Sequence, residues 1–380
     1  MTDDFKYAFE SYSSVVKMES KPGVPLMLFT ATKETALQNH YSLIRWLVWR
    51  RLKLMAQLDA EVATSTRPGD LIEQGWSDPL KVFPKQEATP MRKLMEGRER
   101  NRLIQNISLT HEILERFLMY NYTKTEIFHH ARRQGLRPAA LNGVGFDHKS
   151  SETVAFRVGK MRDPAYSDIE AFDWSVRKWQ YDVDMEVKFR CIEGEKSAEL
   201  RQVYKNQSFV MMRKCFVFSD GSAIMQSGKD DGIQITGSFN TGSGNSGMRS
   251  YAYFGARLKL GMSLDAEIFD NGDDAVEDFV PGIVPVYRSL GLNAREYKTS
   301  KVIDFCSHMW DPTGTYKPRP TGVVKMLVGY LFSRVGPQED SVVRSLCDEL
   351  VSIGPQDEEH PMVVAVLGSR FIELNGEKQE

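Results

Sequence analysis

IFDNGDDAVEDF (residues 268–279) is the stretch on which the fold of this chain turns. Asn271-Gly272 is a hairpin turn signal, and apolar residues flank it on both sides, so a hairpin is expected over 263–280. Two aspartates, Asp273 and Asp274, follow the turn at once. Acidic turns often do no more than face water. Whether this one holds a metal ion depends on what the rest of the chain brings to it.

The 380 residues suffice for one large domain or two ordinary ones. A hydrophobic content of 41% and a charged content of 26% describe a soluble globular protein. The net charge of −2 excludes a uniformly basic nucleic-acid coat, so nucleic acid would have to meet a local basic patch. Cys191, Cys215, Cys306 and Cys347 stand far apart with no CxxC spacing, as free thiols of a reducing compartment would. MTDDFKYAFE at the start is acidic and lacks the apolar core of a signal peptide. No run of 18 apolar residues occurs. YSLIRWLVWRRLKLM (41–55) comes nearest, but its four basic residues and helical spacing fit a core-facing helix better than a membrane-surface one.

Hydrophobic periodicity predicts helices over 36–60, 106–135, 174–192 and 245–260. In the third, Val176, Trp179, Val183, Val187 and Arg190 share one face. A hairpin over 207–235 is expected around Asp220-Gly221. Residues 66–90, rich in Pro and Gly, read as loops with one short strand, LKVF (80–83). Residues 320–380 read as mainly helical with a late strand, MVVAVL (362–367). Helices and hairpins mixed in this order give an α+β fold, without strict βαβ alternation.

Upstream of the acidic turn, YSDIEAFDWSV (166–176) places Asp168 at the end of a short strand and Asp173 at the start of a helix, where a carboxylate suits the N-terminus. Suppose Asp168 meets Asp273 and Asp274. Two carboxylates about 4 Å apart repel by roughly 4 kcal/mol at an effective dielectric near 20. A cation is then required, and hard oxygen ligands select Mg²⁺ or Mn²⁺. Two such ions can activate a 3′-hydroxyl and stabilise a leaving pyrophosphate. A calcium loop fails: counted from Asp270, its invariant glycine falls on Ala275 and its final glutamate on Pro281.

IQITGSFNTGSGNSGMR (233–249) offers a competitor. Gly242, Gly244 and Gly247 fit the dinucleotide fingerprint GxGxxG, and Glu267 or Asp270 lies about 20 residues on. Yet TGSFNT separates the apolar IQI run from the first of these glycines, and Asp273–Asp274 would have no role. A P-loop fails because Ser243 stands where lysine is needed. KQEATPMRKLMEGRERNR (85–102) carries Lys85, Arg92, Lys93, Arg98, Arg100 and Arg102. Charge runs are usually solvated faces, but this one is pinned by LKVF before it and LIQNISL after it. A pinned guanidinium row suits phosphates.

In this order and spacing the motifs resemble those of viral RNA-dependent RNA polymerases, most of all those of sobemovirus- and polerovirus-like positive-strand RNA viruses, over roughly residues 18–312. ESKPGVPLM (19–27) is similar to the template-entrance motif, which implies roles for Ser20, Gly23 and Pro25. DPLKVFPKQEATPMRKLMEGRERNRLI (78–104) resembles the motif that covers the incoming triphosphate, with Lys85, Lys93, Arg98 and Arg102 as binding residues. SDIEAFDWSV (167–176) supplies a metal-binding Asp168 and a ribose-sensing Asp173 by the same resemblance. TGSFNTGSGN (236–245) matches SGxxxTxxxN with Thr236 in place of serine; it implies that Gly237 contacts substrate and that Thr241 and Asn245 join Asp173 in reading the 2′-hydroxyl. NGDD (271–274) matches the metal-binding turn, with Asp270 and Asn271 replacing apolar residues. FCSHMW (305–310) resembles the primer grip, at Cys306 and Ser307. Lys298 or Lys301 would protonate pyrophosphate, with the placement favouring Lys298.

The resemblance implies a right-hand polymerase with an antiparallel palm sheet backed by helices. Fingers would span 1–160, a palm 161–310 with a fingers insertion near 190–230, and a small thumb 311–380. Asp168, Asp273 and Asp274 would bind Mg²⁺, with Mn²⁺ as the substitute. Partners would be a single-stranded RNA template, nascent RNA and NTPs, with a genome-linked protein primer and membrane-associated viral replication proteins beside them, and no DNA. The place would be the host cytoplasm, in a membrane-associated replication complex. Two rival classes are a dinucleotide-binding oxidoreductase built on GSGNSG and a non-enzymatic RNA-binding protein built on the basic stretch.

Overall fold

The computed structural model describes residues 1–63, 67–85, 91–97, 102–127, 139–145, 148–226, 232–311, 318–332, 340–368 and 371–372; the side chains of Lys93, His148, Lys149, Asp168, Glu296 and Asp340 also lie outside this description. The fold is α+β, as expected. A four-stranded antiparallel sheet in the order β6-β7-β3-β8 lies at its centre. It comprises β3 (Pro164–Ile169), β6 (Ile268–Asn271), β7 (Asp274–Asp278) and β8 (Ala294–Thr299).

Period-2 alternation gives this sheet two different faces. Ile268 and Ala275 join the large core with Met248, Ala252 and Ala256 of the Thr241–Lys259 helix, Tyr287 of the Ile283–Ser289 helix and Ala294 of β8. Their neighbours Phe269 and Val276 point the other way. They pack with Val154 and Val158 of the His148–Lys160 helix and with Ile303, Phe305 and Trp310 of a small hairpin. That hairpin is β9 (Ile303–Phe305) and β10 (His308–Trp310), extended by β11 (Arg319–Pro320) into a three-stranded sheet.

A second four-stranded sheet, in the order β2-β1-β4-β5, joins distant parts of the chain. β1 (Leu80–Pro84) and β2 (Leu103–Asn106) pair antiparallel around the basic stretch, and β1 pairs parallel with β4 (Cys215–Val217). β4 turns into β5 (Ala223–Met225) through the Asp220-Gly221 turn. The C-terminal helices Val323–Leu331, Asp340–Glu349 and His360–Leu367 make an apolar cluster of their own, with Leu327, Val343, Leu350, Val363 and Phe371 inside it. Among the described residues no helix is long and apolar enough to cross a membrane.

Four expectations need correction. MVVAVL is helix, not strand: Pro361 sits in the first turn, and Val363 and Leu367, one helical turn apart, reach the same cluster. The hairpin expected from 207 begins at Cys215, because the Ala198–Met211 helix runs through Phe209 and Val210. A short helix, Pro68–Glu73, occupies part of the 66–90 loop, with Pro68 at its start. The Lys178–Arg190 helix buries the face opposite to the expected one: Tyr181, Asp184, Met185, Lys188 and Phe189 are inside, while Val183 and Arg190 are exposed. Two of those buried positions are charged, and they pair with each other, which the apolar pattern cannot register.

Candidate active site

The acidic turn is a tight hairpin. Asn271 pairs with Asp274, so the loop proper is Gly272-Asp273, one residue later than the sequence signal placed it. Gly272 has φ +70°, the left-handed conformation that glycine adopts without strain at the first loop position. Asp273 and Asp274 are both exposed at the tip. β3 runs antiparallel to β7 with Tyr166 opposite Val276. Two residues further along β3, the backbone of Asp168 reaches the level of Asp274, at a bulge between Asp168 and Ile169.

Asp173 joins from the one-turn helix Phe172–Ser175. It does not cap that helix: the N-cap is Ala171, with no side-chain capping bond. Instead the Asp173 carboxylate accepts a 2.9 Å hydrogen bond from Nδ2 of Asn245, in the second turn of the Thr241–Lys259 helix. Burial pushes the Asp173 carboxyl above its ordinary value; the Asn245 bond opposes this, the charge of Asp273 adds to it, and Arg102 opposes it. Three segments distant in sequence therefore act on one carboxylate. Oδ1 of Asn245 is buried and meets no hydrogen-bond partner among the described residues.

The glycine loop before that helix lies against β2. Oγ1 of Thr236 accepts a 2.9 Å bond from the Gln105 amide. A Cβ on Gly237 would stand 2.3 Å from the Gln105 carbonyl oxygen, so only glycine fits there. Thr241 donates its hydroxyl to the carbonyls of Ile235 and Ser238, at 2.7 and 2.9 Å. Gly242, Gly244 and Gly247 lie inside the helix, not in a strand-to-helix turn, which is not the placement a dinucleotide fingerprint needs.

Of the basic stretch, Arg102 is exposed beside Asp173, and its carbonyl accepts from the Lys85 amide at 2.7 Å, closing the β1–β2 ladder. Arg92 pairs with Glu96 on an exposed turn. Lys93 lies in the Met91–Met95 helix, and Arg98 and Arg100 lie outside the described residues. Ser20, Gly23 and Pro25 sit at the opposite end of β2. The Leu109 amide bonds to the Pro22 carbonyl at 2.7 Å, and a Cβ on Gly23 (φ +71°) would meet the Ile107 carbonyl oxygen at 2.3 Å.

Cys306 and Ser307 form the two-residue turn between β9 and β10, both at positive φ. Nδ2 of Asn271 reaches Sγ of Cys306 at 3.3 Å, which places this turn beside the acidic one. Burial raises the Cys306 thiol to about 12; the Asn271 contact opposes the rise, and Asp274 and Asp273 add to it. Lys298 stands opposite Tyr166 in β8, whereas Lys301 lies past the end of the strand.

Sequence reasoning missed the buried charges behind these residues. Glu115, fully buried on the Leu109–Glu126 helix, accepts from the Ser238 hydroxyl at 2.8 and 2.9 Å and from the Phe239 amide at 2.8 Å, holding the glycine loop from below. Lys188 bonds Asp184 and Asn240 behind the same loop. Arg249 binds Ser167 (2.6 Å), Glu277 (2.9 Å) and Tyr287 (3.1 Å), tying the helix to β3 next to Asp168. Polar residues among apolar ones at helical spacing were the available signal, but a single sequence does not reveal their partners.

No family model matches the chain. It is 31% identical over 314 residues to the replicase polyprotein P2AB of Southern bean mosaic virus, covering 79% of this chain and 30% of that protein. It is 27% identical to protein P1-P2 of Turnip yellows virus, covering 86% of this chain and 31% of that protein. With the RNA-directed RNA polymerase of Mushroom bacilliform virus it shares 26% identity over 72% of this chain and 64% of that protein. The chain spans about a third of the length of the polyproteins it matches. Over 72–86% of its length the chain is therefore similar, at 26–31% identity, to these viral proteins, among them a replicase polyprotein and an RNA-directed RNA polymerase.

Proposed function

We propose that this chain is an RNA-dependent RNA polymerase that replicates a positive-strand viral RNA. The observation that carries the reading is the Asp173–Asn245 hydrogen bond, with Asp273 and Arg102 near enough for their charges to act on the same carboxylate, so that four separate segments, its own included, bear on it. Each comes from a different motif of the resemblance. The architecture is then a right hand, with fingers over 1–160, a palm over 161–310 and a small thumb over 311–380.

The donor set suits a hard divalent cation. Asp273 and Asp274 present exposed carboxylates at one tip, their charge already disfavours ionisation of neighbouring groups, and Asp168 is at the same level of the sheet. Asp168 and Asp273, supported by Asp274, would hold Mg²⁺, with Mn²⁺ as an alternative. Bound there, the ions would lower the pKa of the attacking 3′-hydroxyl and neutralise charge on the triphosphate. Asn245 would read the ribose 2′-hydroxyl, and its bond to Asp173, which holds the amide from the other side, supports this. Thr241 shapes the same wall. Arg102, together with Lys85, Lys93 and Arg98, would attract the triphosphate, Gly237 would allow its close approach, and Lys298 would return a proton to pyrophosphate. The Cys306–Ser307 turn would steady the 3′ end of the nascent RNA, and Ser20, Gly23 and Pro25 would border the template entrance.

On this reading the partners are single-stranded template, nascent RNA and NTPs. A genome-linked protein primer and membrane-associated viral replication proteins complete the set, in the host cytoplasm. The test is incorporation of labelled ribonucleotides on an RNA template by purified protein with Mg²⁺ or Mn²⁺, beside Asp273→Asn. Template-dependent incorporation that the substitution abolishes is the expected result. A folded wild-type protein that binds RNA yet incorporates nothing under either ion would count against it.

A further inference from the structure

The Thr241–Lys259 helix does more than carry Asn245. Its next residue, Ser246, accepts a 2.8 Å hydrogen bond from the amide of Gly272, the first residue of the acidic turn. One turn later, Ser250 donates its hydroxyl to Oδ2 of Asp270 at 2.5 Å. Asp270 is fully buried on the helix-facing side of β6. Its other oxygen, Oδ1, is also buried and makes no hydrogen bond among the described residues, although the Ser246 hydroxyl lies close enough to favour the ionised carboxyl. The two serines and the aspartate thus fasten the tip and the stem of the turn to the helix.

We infer that Ser246, with Ser250 and Asp270, is a positioning clamp that sets the acidic turn against the ribose-reading helix. This deepens the polymerase reading and rests on it. Three physical points support it. The Ser246 bond reaches the amide one residue before Asp273, so losing it frees the peptide that orients that carboxylate. Asn245 and Ser246 are adjacent, so one helical turn fixes both the sugar-reading amide and the metal-binding tip. A buried carboxyl with an unpartnered oxygen is costly. An apolar residue would fill the site on β6 without that cost, as at Ile268 on the same face, so packing alone does not account for an aspartate there.

The experiment uses the full chain and two readouts. The first is hydrogen exchange of the Gly272 amide in metal-free protein. The second is single-nucleotide extension on a primed RNA template across a range of Mg²⁺ concentrations. Ser246→Ala is expected to speed Gly272 exchange about tenfold, because it removes a roughly 1.4 kcal/mol restraint. It is expected to lower kcat about tenfold or more and to raise the Mg²⁺ requirement, with KM for NTP within about twofold. Ser246→Thr, which keeps the hydroxyl, should restore most of both. Ser250→Ala should act in the same direction but more weakly, and it carries the test if Ser246→Ala does not fold. Unchanged exchange in the serine variants, or a kcat loss that threonine does not recover, would overturn the clamp. An inert wild type would sink the polymerase reading instead, leaving the exchange data to judge the clamp on its own.

Discussion

Glu115→Gln should flatten part of the dependence of stability on pH, and the structure gives the size and sign. Burial raises the Glu115 carboxyl from its ordinary 4.5 to about 7, against the opposing bonds from Ser238 and Phe239; Glu112 adds to the rise and Lys188 opposes it. The folded state therefore holds this proton more tightly than the unfolded chain. Below about pH 4.5 both states are protonated and the neutral acid's contribution is fully present. Between 4.5 and 7 only the unfolded chain releases the proton, so stability falls as pH rises, and the contribution is lost above about 7. A displacement of that size is worth roughly 3 kcal/mol. The neutral form is well accommodated, because Oε1 of Gln207 is a buried acceptor without a partner among the described residues while its amide nitrogen faces Glu115 at 3.3 Å. Turning that amide over would let it accept from a protonated Glu115, or from glutamine. Urea unfolding of wild type and Glu115→Gln, followed by tryptophan fluorescence at several pH values, reads the difference directly. Asp270, also raised to about 7 by burial, is common to both proteins and cancels. The variant should gain on wild type by about 2.5 kcal/mol from pH 5 to pH 8, since part of the displacement is already spent by pH 5. A difference that stays level over that range would refute the assignment of a raised acid beneath the glycine loop.

Asn245→Ala should narrow the preference for ribonucleotides over deoxyribonucleotides by about ten- to a hundredfold, the equivalent of one buried hydrogen bond left unmade, read as the ratio of kcat/KM for the two. Arg249→Met should cost about 3–5 kcal/mol of unfolding free energy by leaving Glu277 buried without its cation. Adding Glu277→Gln should recover much of that loss, and a double variant no better than the single one would contradict the pairing. Gly237→Ala should displace the glycine loop, because its Cβ would lie 2.3 Å from the Gln105 carbonyl oxygen. A normal KM for NTP in that variant would show that the loop does not border substrate.

Local chemistry was legible in the sequence where it acts over a few residues. Asp220-Gly221 and the NGDD stretch both make the hairpins their turn residues demand, although the second turn sits one residue later than Asn-Gly suggests. The approach of Asp173 to Asn245 was legible through motif spacing, and the structure joins the two by a hydrogen bond. Two other features were not legible, for different reasons. MVVAVL has too few polar residues to show a period, so strand and helix fit it equally, and only packing against Phe371 and the neighbouring helices decides. The Lys178–Arg190 helix was read with the wrong face inside because an apolar pattern treats Asp184 and Lys188 as surface. Their mutual ion pair, closed by Asn240 from another segment, is what allows both to be buried.

The alternation of β6 explains why a site of this kind needs a strand of this composition. Ile268 and Asp270 face the Thr241–Lys259 helix, while Phe269 and Asn271 face the β9–β10 hairpin. Each face ends in a polar residue that grips a different neighbour: Asp270 takes Ser250, and Asn271 takes Cys306. Apolar residues at those two positions could fill the same space, but they could not hold the turn from both sides. If the turn holds a cation as proposed, its two adjacent carboxylates repel whenever that cation is absent, and exposure to water relieves only part of the repulsion. Fastening the tip through Ser246 and Gly272, and the stem through Asp270 and Asn271, keeps the carboxylates in place while no cation holds them. On the clamp proposed above, the polar residues that set this chain's turn apart from the apolar pattern before GDD would have a mechanical role, distinct from any direct effect of their charge on metal preference.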